Sequence, residues 1–347
     1  MTLRVGLVGL GWFGDLHRQV WQADPSVELV SVCDLNHARL RSPGTAEPQA
    51  DFHETAHGIG NLGKRSSDPS SYTDVEEMLS TERLDFLDVV TPEATHERVA
   101  SLGFDHGLHV AVEKPMALSA RSAHRLRAKA TKAGRQLFVG HILRFDPRYQ
   151  ALVGTLRKRD ATVRHMSFQR HFQVAAHHVY GRVSPFLGAC IHDIDLAIWI
   201  TGRKPARVLG VTEYWLGEEH PDVALAILEW EDGLRAVVQN VWHVAKSCPY
   251  GFSFDTLVLA DDLTLRITNQ PDLEVWGPSA VKLPESFLWP LVSGGPKGAL
   301  SEELRHFARS AEANEPSSVV DLDEAVMSIE VAEALLRSAT VGAWQTP

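Results

Sequence analysis

The chain has little cysteine, no long apolar run and no surplus of positive charge. Its 347 residues include three cysteines, Cys33, Cys190 and Cys248. They are too few, too far apart and odd in number for a disulfide framework or paired zinc ligands, so reduced thiols are expected. No apolar stretch reaches the ~18 residues of a membrane-spanning helix. Acidic residues outnumber basic ones, 44 to 34, for a formal net charge of −10 at pH 7. Nucleic acid and anionic membrane both call for a basic patch, so neither is expected as a partner. No charged-then-apolar leader opens the chain, and a cytoplasmic location is expected. Internal repeats are also missing. An apolar content of 44% and a charged content of 22% place the chain among ordinary globular proteins, and its length suits two domains rather than one core.

What is present is concentrated at residues 4–34. Arg4-Val5-Gly6-Leu7-Val8 reads as a strand and runs into Gly9-Leu10-Gly11-Trp12-Phe13-Gly14, a G-x-G-x-x-G turn followed by a helical pattern. Gly9 permits the tight turn, Gly11 lets backbone approach a pyrophosphate, and Gly14 lets the helix pack on the strand. The helix start then offers N–H groups and positive dipole to phosphates. A second apolar segment, Val27–Cys33, ends at Asp34, 20 residues after Gly14, where a carboxylate accepts hydrogen bonds from ribose hydroxyls. Strand, turn, helix and acid in this order indicate a dinucleotide site.

Strand and helix patterns alternate over residues 1–140, which predicts a doubly wound parallel sheet, a Rossmann α/β domain. The polar stretch at about 41–71 has no clear period and reads as a long surface loop or insertion. Strands are expected to end at Thr91-Pro92 and just before Glu113-Lys114. From 141 to 347 the pattern changes: β-like runs at 162–172, 205–215, 223–230, 234–243, 252–260 and 263–268 follow with few helices between them. This predicts an α+β domain on an open, mostly antiparallel sheet, with a helix over 185–201 and two closing helices at 299–314 and 321–339. A second copy of the chain is the expected cover for the open sheet face, which implies a homodimer or homotetramer.

Read together, these segments resemble the glucose–fructose oxidoreductase / inositol dehydrogenase (Gfo/Idh/MocA) family. The resemblance spans nearly the whole chain and rests on Gly9–Gly14, Thr91-Pro92-Glu93-Ala94-Thr95-His96, His109–Pro115, Arg144-Phe145-Asp146-Pro147 and Ile191–Trp199. It implies an NAD(P)-dependent oxidoreductase acting on a sugar, polyol or related hydroxy/oxo compound. The cofactor-binding set is then Gly9, Gly11, Trp12, Phe13, Gly14, Asp34, Thr91, Pro92, His96 and Glu113. NAD is expected over NADP, because Asp34 repels a 2′-phosphate and neither Leu35 nor Asn36 supplies a cation.

The resemblance also implies a catalytic or substrate-positioning lysine at Lys114, in Glu-Lys-Pro. Held near a cationic nicotinamide and away from water, its amine would be a base for a hydroxyl proton as hydride leaves the same carbon. His192 is the second candidate, with Asp195 three residues on and sharing its helical face. The carboxylate can set the imidazole tautomer for acid–base work. Arg144 and Tyr180 are expected to join Lys114 and His192 in binding substrate, alongside the histidine-bearing stretch 170–180. That stretch has no cysteine or carboxylate at ligand spacing, so no metal is expected. One departure stands out. Where members of the family carry an aspartate four residues before the histidine, this chain has Gly188, which leaves Asp193 or Asp195 to compensate. Two further readings therefore stay open: a non-catalytic dinucleotide- or sugar-sensing regulator, and a lyase or glycosidase that uses tightly held NAD for transient oxidation.

Overall fold

Alternating strands and helices over the first 145 residues do build one parallel sheet. The computed structural model describes residues 2–41, 68–174, 176–177, 181–217, 219–248, 252–269, 275–276, 281–282, 286–292 and 295–347. Two compact units divide them.

In the first unit, β1 (Leu3–Val8), β2 (Val27–Cys33), β3 (Ser70–Tyr72), β4 (Phe86–Val89), β5 (His109–Glu113) and β6 (Leu137–Gly140) align in the order β3-β2-β1-β4-β5-β6. Every adjacent pair is parallel. The order reverses direction between β1 and β4, so loops leaving the carboxyl ends of these two strands part and open a crevice there. β4 and β5 are buried at every position, as strands covered on both faces must be. The helices start and stop where side chains dictate. Asp74 accepts hydrogen bonds from the Glu76 and Glu77 N–H groups at the start of Val75–Thr81. Ser119 caps Ala120–Ala133, which ends on Gly134 in the left-handed region at φ 63°.

Two details differ from the sequence expectation. Most of the expected 41–71 insertion lies outside the described residues, but its end forms β3, whose polar Ser-Ser-Tyr gives hydrophobic periodicity nothing to register. The unit also takes back residues 287–322 from the far half of the chain. There the helix Gly298–Ala313 stacks Phe307 on Phe138 of β6, with centroids 5.0 Å apart. A short-range pattern cannot reveal a helix that returns after about 140 residues of another domain.

In the second unit, β7 (Val163–Gln173), β8 (Arg207–Glu213), β9 (Val223–Glu229), β10 (Arg235–Val244), β11 (Phe252–Ala260) and β12 (Leu263–Thr268) run in the order β12-β11-β7-β10-β9-β8. Only β7 and β10 pair in parallel; the remaining neighbours are antiparallel. Gly233, at φ 87°, turns the β9–β10 hairpin. Alternate residues of β8 to β11 are buried on one face, whereas Val211 and Leu225, opposite each other on the other face, stay exposed. The helix expected over 185–201 is two helices, Pro185–Gly188 and Ile191–Thr201. At the break, the Ala189 and Cys190 N–H groups both reach the Pro185 carbonyl, a turn wider than the α-helical one.

Candidate functional site

β1 passes into the helix α1 (Trp12–Ala23) through the three glycines, and each meets a different environment. Gly9 has φ 99°, and a Cβ there would fall 2.3 Å from the Val90 carbonyl oxygen. At Gly14 a Cβ would fall 2.0 Å from the Gly9 carbonyl oxygen. Protein fills both places. At Gly11 a Cβ would meet nothing within 4 Å. Gly11 is also the N-cap of α1 and lends no side chain to the first turn. Backbone left bare above a helix start is the cradle a diphosphate requires. Asp34, 7% exposed, closes β2. Its Oδ2 accepts from the Leu10 N–H (2.8 Å) and its Oδ1 from the Asn36 N–H (2.8 Å). The carboxylate is thus locked to the glycine turn with acceptor sites to spare. Arg39, on the short helix after it, brings Nη1 to 3.7 Å from Asp34 Oδ2.

The same crevice is bordered by the ends of β4 and β5. Thr95 Oγ1 lies 2.8 Å from Thr91 Oγ1 and 2.7 Å from the Pro92 carbonyl. His96 is 1% exposed, with ring nitrogens 2.8 Å from the Pro115 carbonyl oxygen and 2.7 Å from that of Thr91. It therefore ties the β4 loop to the β5 loop. Lys114 is half-buried, follows Glu113 directly and precedes Pro115 across a cis peptide. The Lys114 N–H donates to Glu113 Oε2 at 3.2 Å.

Two residues that sequence reasoning passed over sit beneath these loops. Asp88, in the middle of β4 and 1% exposed, accepts hydrogen bonds through Oδ2 from His17 Nδ1 (2.9 Å) and Trp21 Nε1 (2.7 Å). His17 Nε2 lies 3.6 Å from Glu113 Oε1. Burial alone would lower the imidazole, but attraction and hydrogen bonding to Asp88, joined by Glu113, raise it to about 10. A signal was available. Phe13, His17 and Trp21 recur every four residues on one helix face, and Asp88 interrupts an apolar strand.

Arg144, expected to bind substrate, is fully buried within the first unit and donates from Nη1 to the Val319 carbonyl (3.2 Å). It pins a loop there. In the second unit His192 lies in the first turn of the helix Ile191–Thr201, half-buried, and Asp195 on the same helix is buried. Asp193 is committed elsewhere: both its oxygens take Arg170, Oδ1 from Nη2 at 2.9 Å and Oδ2 from Nε at 3.2 Å. Arg170, expected in the polar lining, is thereby a buried ion-pair partner on β7, and Asn240 Nδ2 donates to its carbonyl. Tyr180 lies outside the described residues. Among the described residues no group of three or more His, Cys, Asp or Glu side chains is placed to hold a metal ion.

Comparison with known proteins agrees with this geometry. Residues 3–141 match the model of the GFO/IDH/MocA oxidoreductase family, NAD-binding Rossmann fold, and residues 153–268 match the GFO/IDH/MocA C-terminal domain. The chain is 30% identical over 282 residues to D-apiose dehydrogenase of Paraburkholderia graminis, covering 78% of this chain and 68% of that protein. It is 26% identical over 353 residues to scyllo-inositol 2-dehydrogenase (NAD(+)) of Bacillus subtilis, covering 97% and 94%. Among solved structures, myo-inositol 2-dehydrogenase from Lactobacillus plantarum superposes with a TM-score of 0.81 at 22% identity, covering 100% of this chain and 99% of that one. The scyllo-inositol dehydrogenase of Lactobacillus casei with bound NAD(H) and scyllo-inositol superposes at 0.76 and 19% identity, covering 100% and 99%. At these identities the structures show a shared fold.

Proposed function

The chain belongs to the GFO/IDH/MocA oxidoreductase family, and on that footing we propose that it is an NAD-dependent dehydrogenase oxidising a CH–OH group of a sugar or polyol. The observation that carries this reading is the open backbone at Gly11 between the filled positions Gly9 and Gly14, with Asp34 locked beside it. Gly9, Gly11, Trp12, Phe13 and Gly14 would hold the diphosphate, Asp34 the adenosine ribose, and Thr91 and Pro92 the nicotinamide half, which Glu113 would border with its oxygens already turned to His17 and the Lys114 N–H. When bound, the nicotinamide supplies the hydride acceptor. Lys114 takes the hydroxyl proton of the carbon being oxidised, so one proton and one hydride leave together. His192, its tautomer set by Asp195, is the second acid–base group and orients the sugar hydroxyls.

NAD is favoured over NADP because the Asp34 carboxylate would repel a 2′-phosphate, and Arg39, with Nη1 3.7 Å from that carboxylate, is the cation that acts against the preference. A protein named as acting on D-apiose and others named as acting on inositols direct the first test. Native protein with NAD and D-apiose, myo-inositol or scyllo-inositol should produce NADH, read by absorbance. Two observations favour the sensing alternative: Gly188 has no carboxylate, and Asp193 is taken by Arg170. Tight NAD binding without NADH from a broad polyol panel would establish that alternative, and net elimination or hydrolysis without NADH would establish the lyase or glycosidase one. The exposed face of β8 and β9, with Val211 and Leu225 paired across it, supports a homodimer or homotetramer. Light scattering at micromolar concentration should return a multiple of 38.4 kDa.

A further inference from the structure

His17 is a buried titratable group for which the reaction just described has no task. It shares one stripe of α1 with Phe13 and Trp21, and the Phe13 ring meets it edge-on at 4.9 Å. Asp88 from β4 faces Nδ1 at 2.9 Å, and Glu113 from β5 faces Nε2 at 3.6 Å. Both ring nitrogens therefore look at carboxylate oxygens, an environment that only the doubly protonated ring suits. Glu113 divides its own carboxylate, with Oε1 turned to His17 and Oε2 accepting the Lys114 N–H. β6 leaves room for it: a Cβ on Gly140 would stand 2.4 Å from Oε1. A continuous path thus runs from Trp21 through Asp88, His17 and Glu113 to the backbone of Lys114.

We propose that His17 is a positioning residue: anchored on Asp88, its charge holds the Glu113 carboxylate in place, and Glu113 in turn holds the turn that carries Lys114. The cation also offsets one of two carboxylates that would otherwise repel each other inside the sheet. The role rests on the reading of Lys114 as the proton acceptor, and concerns where the lysine stands, not how tightly the dinucleotide binds.

The test uses full-length His17→Gln with NAD as the binding probe. Reductive ¹³C-methylation of the lysines supplies the site probe, with the Lys114 signal assigned by its loss in Lys114→Arg. His17→Gln should bind NAD within about threefold of native, while the Lys114 signal moves its titration midpoint by about half a pH unit or more. On a polyol that the native protein oxidises, kcat should fall about tenfold or more with KM unchanged, as expected for misplacement without loss of binding. A folded His17→Gln with a native Lys114 signal and native kcat overturns the proposal. So does a kcat loss that follows NAD affinity in full. Should His17→Gln fail to fold, Asp88→Asn keeps an acceptor for Trp21 while removing the anchoring charge, and an unmoved Lys114 signal there is equally fatal. Lys114→Ala separates the two readings: native turnover in it removes the lysine from the chemistry, whatever the signal in His17→Gln shows.

Discussion

The two ends of the parallel sheet treat a buried histidine in opposite ways, and β5 touches both. At its amino end, His109 Nδ1 accepts the Gln136 N–H (3.1 Å) and Nε2 lies 3.3 Å from Arg135 Nη1. Accepting at Nδ1, the neutral ring carries its proton on Nε2, and burial, reinforced by the Arg135 charge, lowers its pKa to about 4. At the carboxyl end, Glu113 of the same strand faces His17, whose nitrogens meet acceptors and whose charge persists up to about 10. Burial opposes the charge in both cases; partners decide the outcome. The buried histidine is charged at the end where α/β folds bind ligands and neutral at the other.

The largest expected effect lies at the carboxyl end. Lys114→Ala should reduce turnover on a confirmed substrate by ~10²-fold or more while sparing NAD affinity. A change at the amino end, His109→Gln, should leave turnover near native; equal losses from the two variants would erase the contrast.

Next is stability. Removing His17 leaves Asp88 and Glu113 buried without their cation, which should destabilise the first unit by roughly 3 kcal/mol. Since the folded imidazole titrates above the ordinary 6.5, its contribution is fully present below pH 6.5 and fades as pH rises toward about 10. Urea unfolding of native and His17→Gln protein should therefore diverge most at pH 6 and converge at pH 10. A gap independent of pH would mean that the ring only fills space.

His109 predicts the opposite limb. Its folded value lies below the unfolded one, so native stability should fall as pH drops from 6.5 toward 4, and His109→Gln should flatten that fall. The smallest effect concerns the cofactor. Asp34→Ala should narrow the NAD preference about tenfold or less, with Arg39 released from its carboxylate, and equal NADP binding by native protein would contradict the preference.

Much of the carboxyl end was legible in the sequence because its chemistry is local. The glycine spacing, Asp34, Thr91-Pro92 and Glu113-Lys114 each sit at a strand end, which a run of apolar residues marks unaided. His192 and Asp195 were legible as neighbours on a helix, though the break at Ala189–Cys190 was not, since Pro185-Phe186-Leu187 continues as a helical pattern. The partners of Arg144 and Arg170 were hidden for one reason. An arginine in a polar segment looks solvent- or ligand-facing until its partner is known, and the partners, Val319 and Asp193, lie 175 and 23 residues away.

By itself the sequence determined a doubly wound nucleotide-binding half, a mostly antiparallel second half and the kind of ligand the glycine turn admits. These follow from periodicity and from backbone conformations that only glycine adopts readily, and both are properties of a few adjacent residues. Tertiary structure alone decided which charges are bound to which. His17, Asp88 and Glu113 come from α1, β4 and β5, 71 residues separating the first pair, and no local pattern states that they meet. Their ionisation depends on that meeting, because inside the sheet a charge survives only beside its opposite.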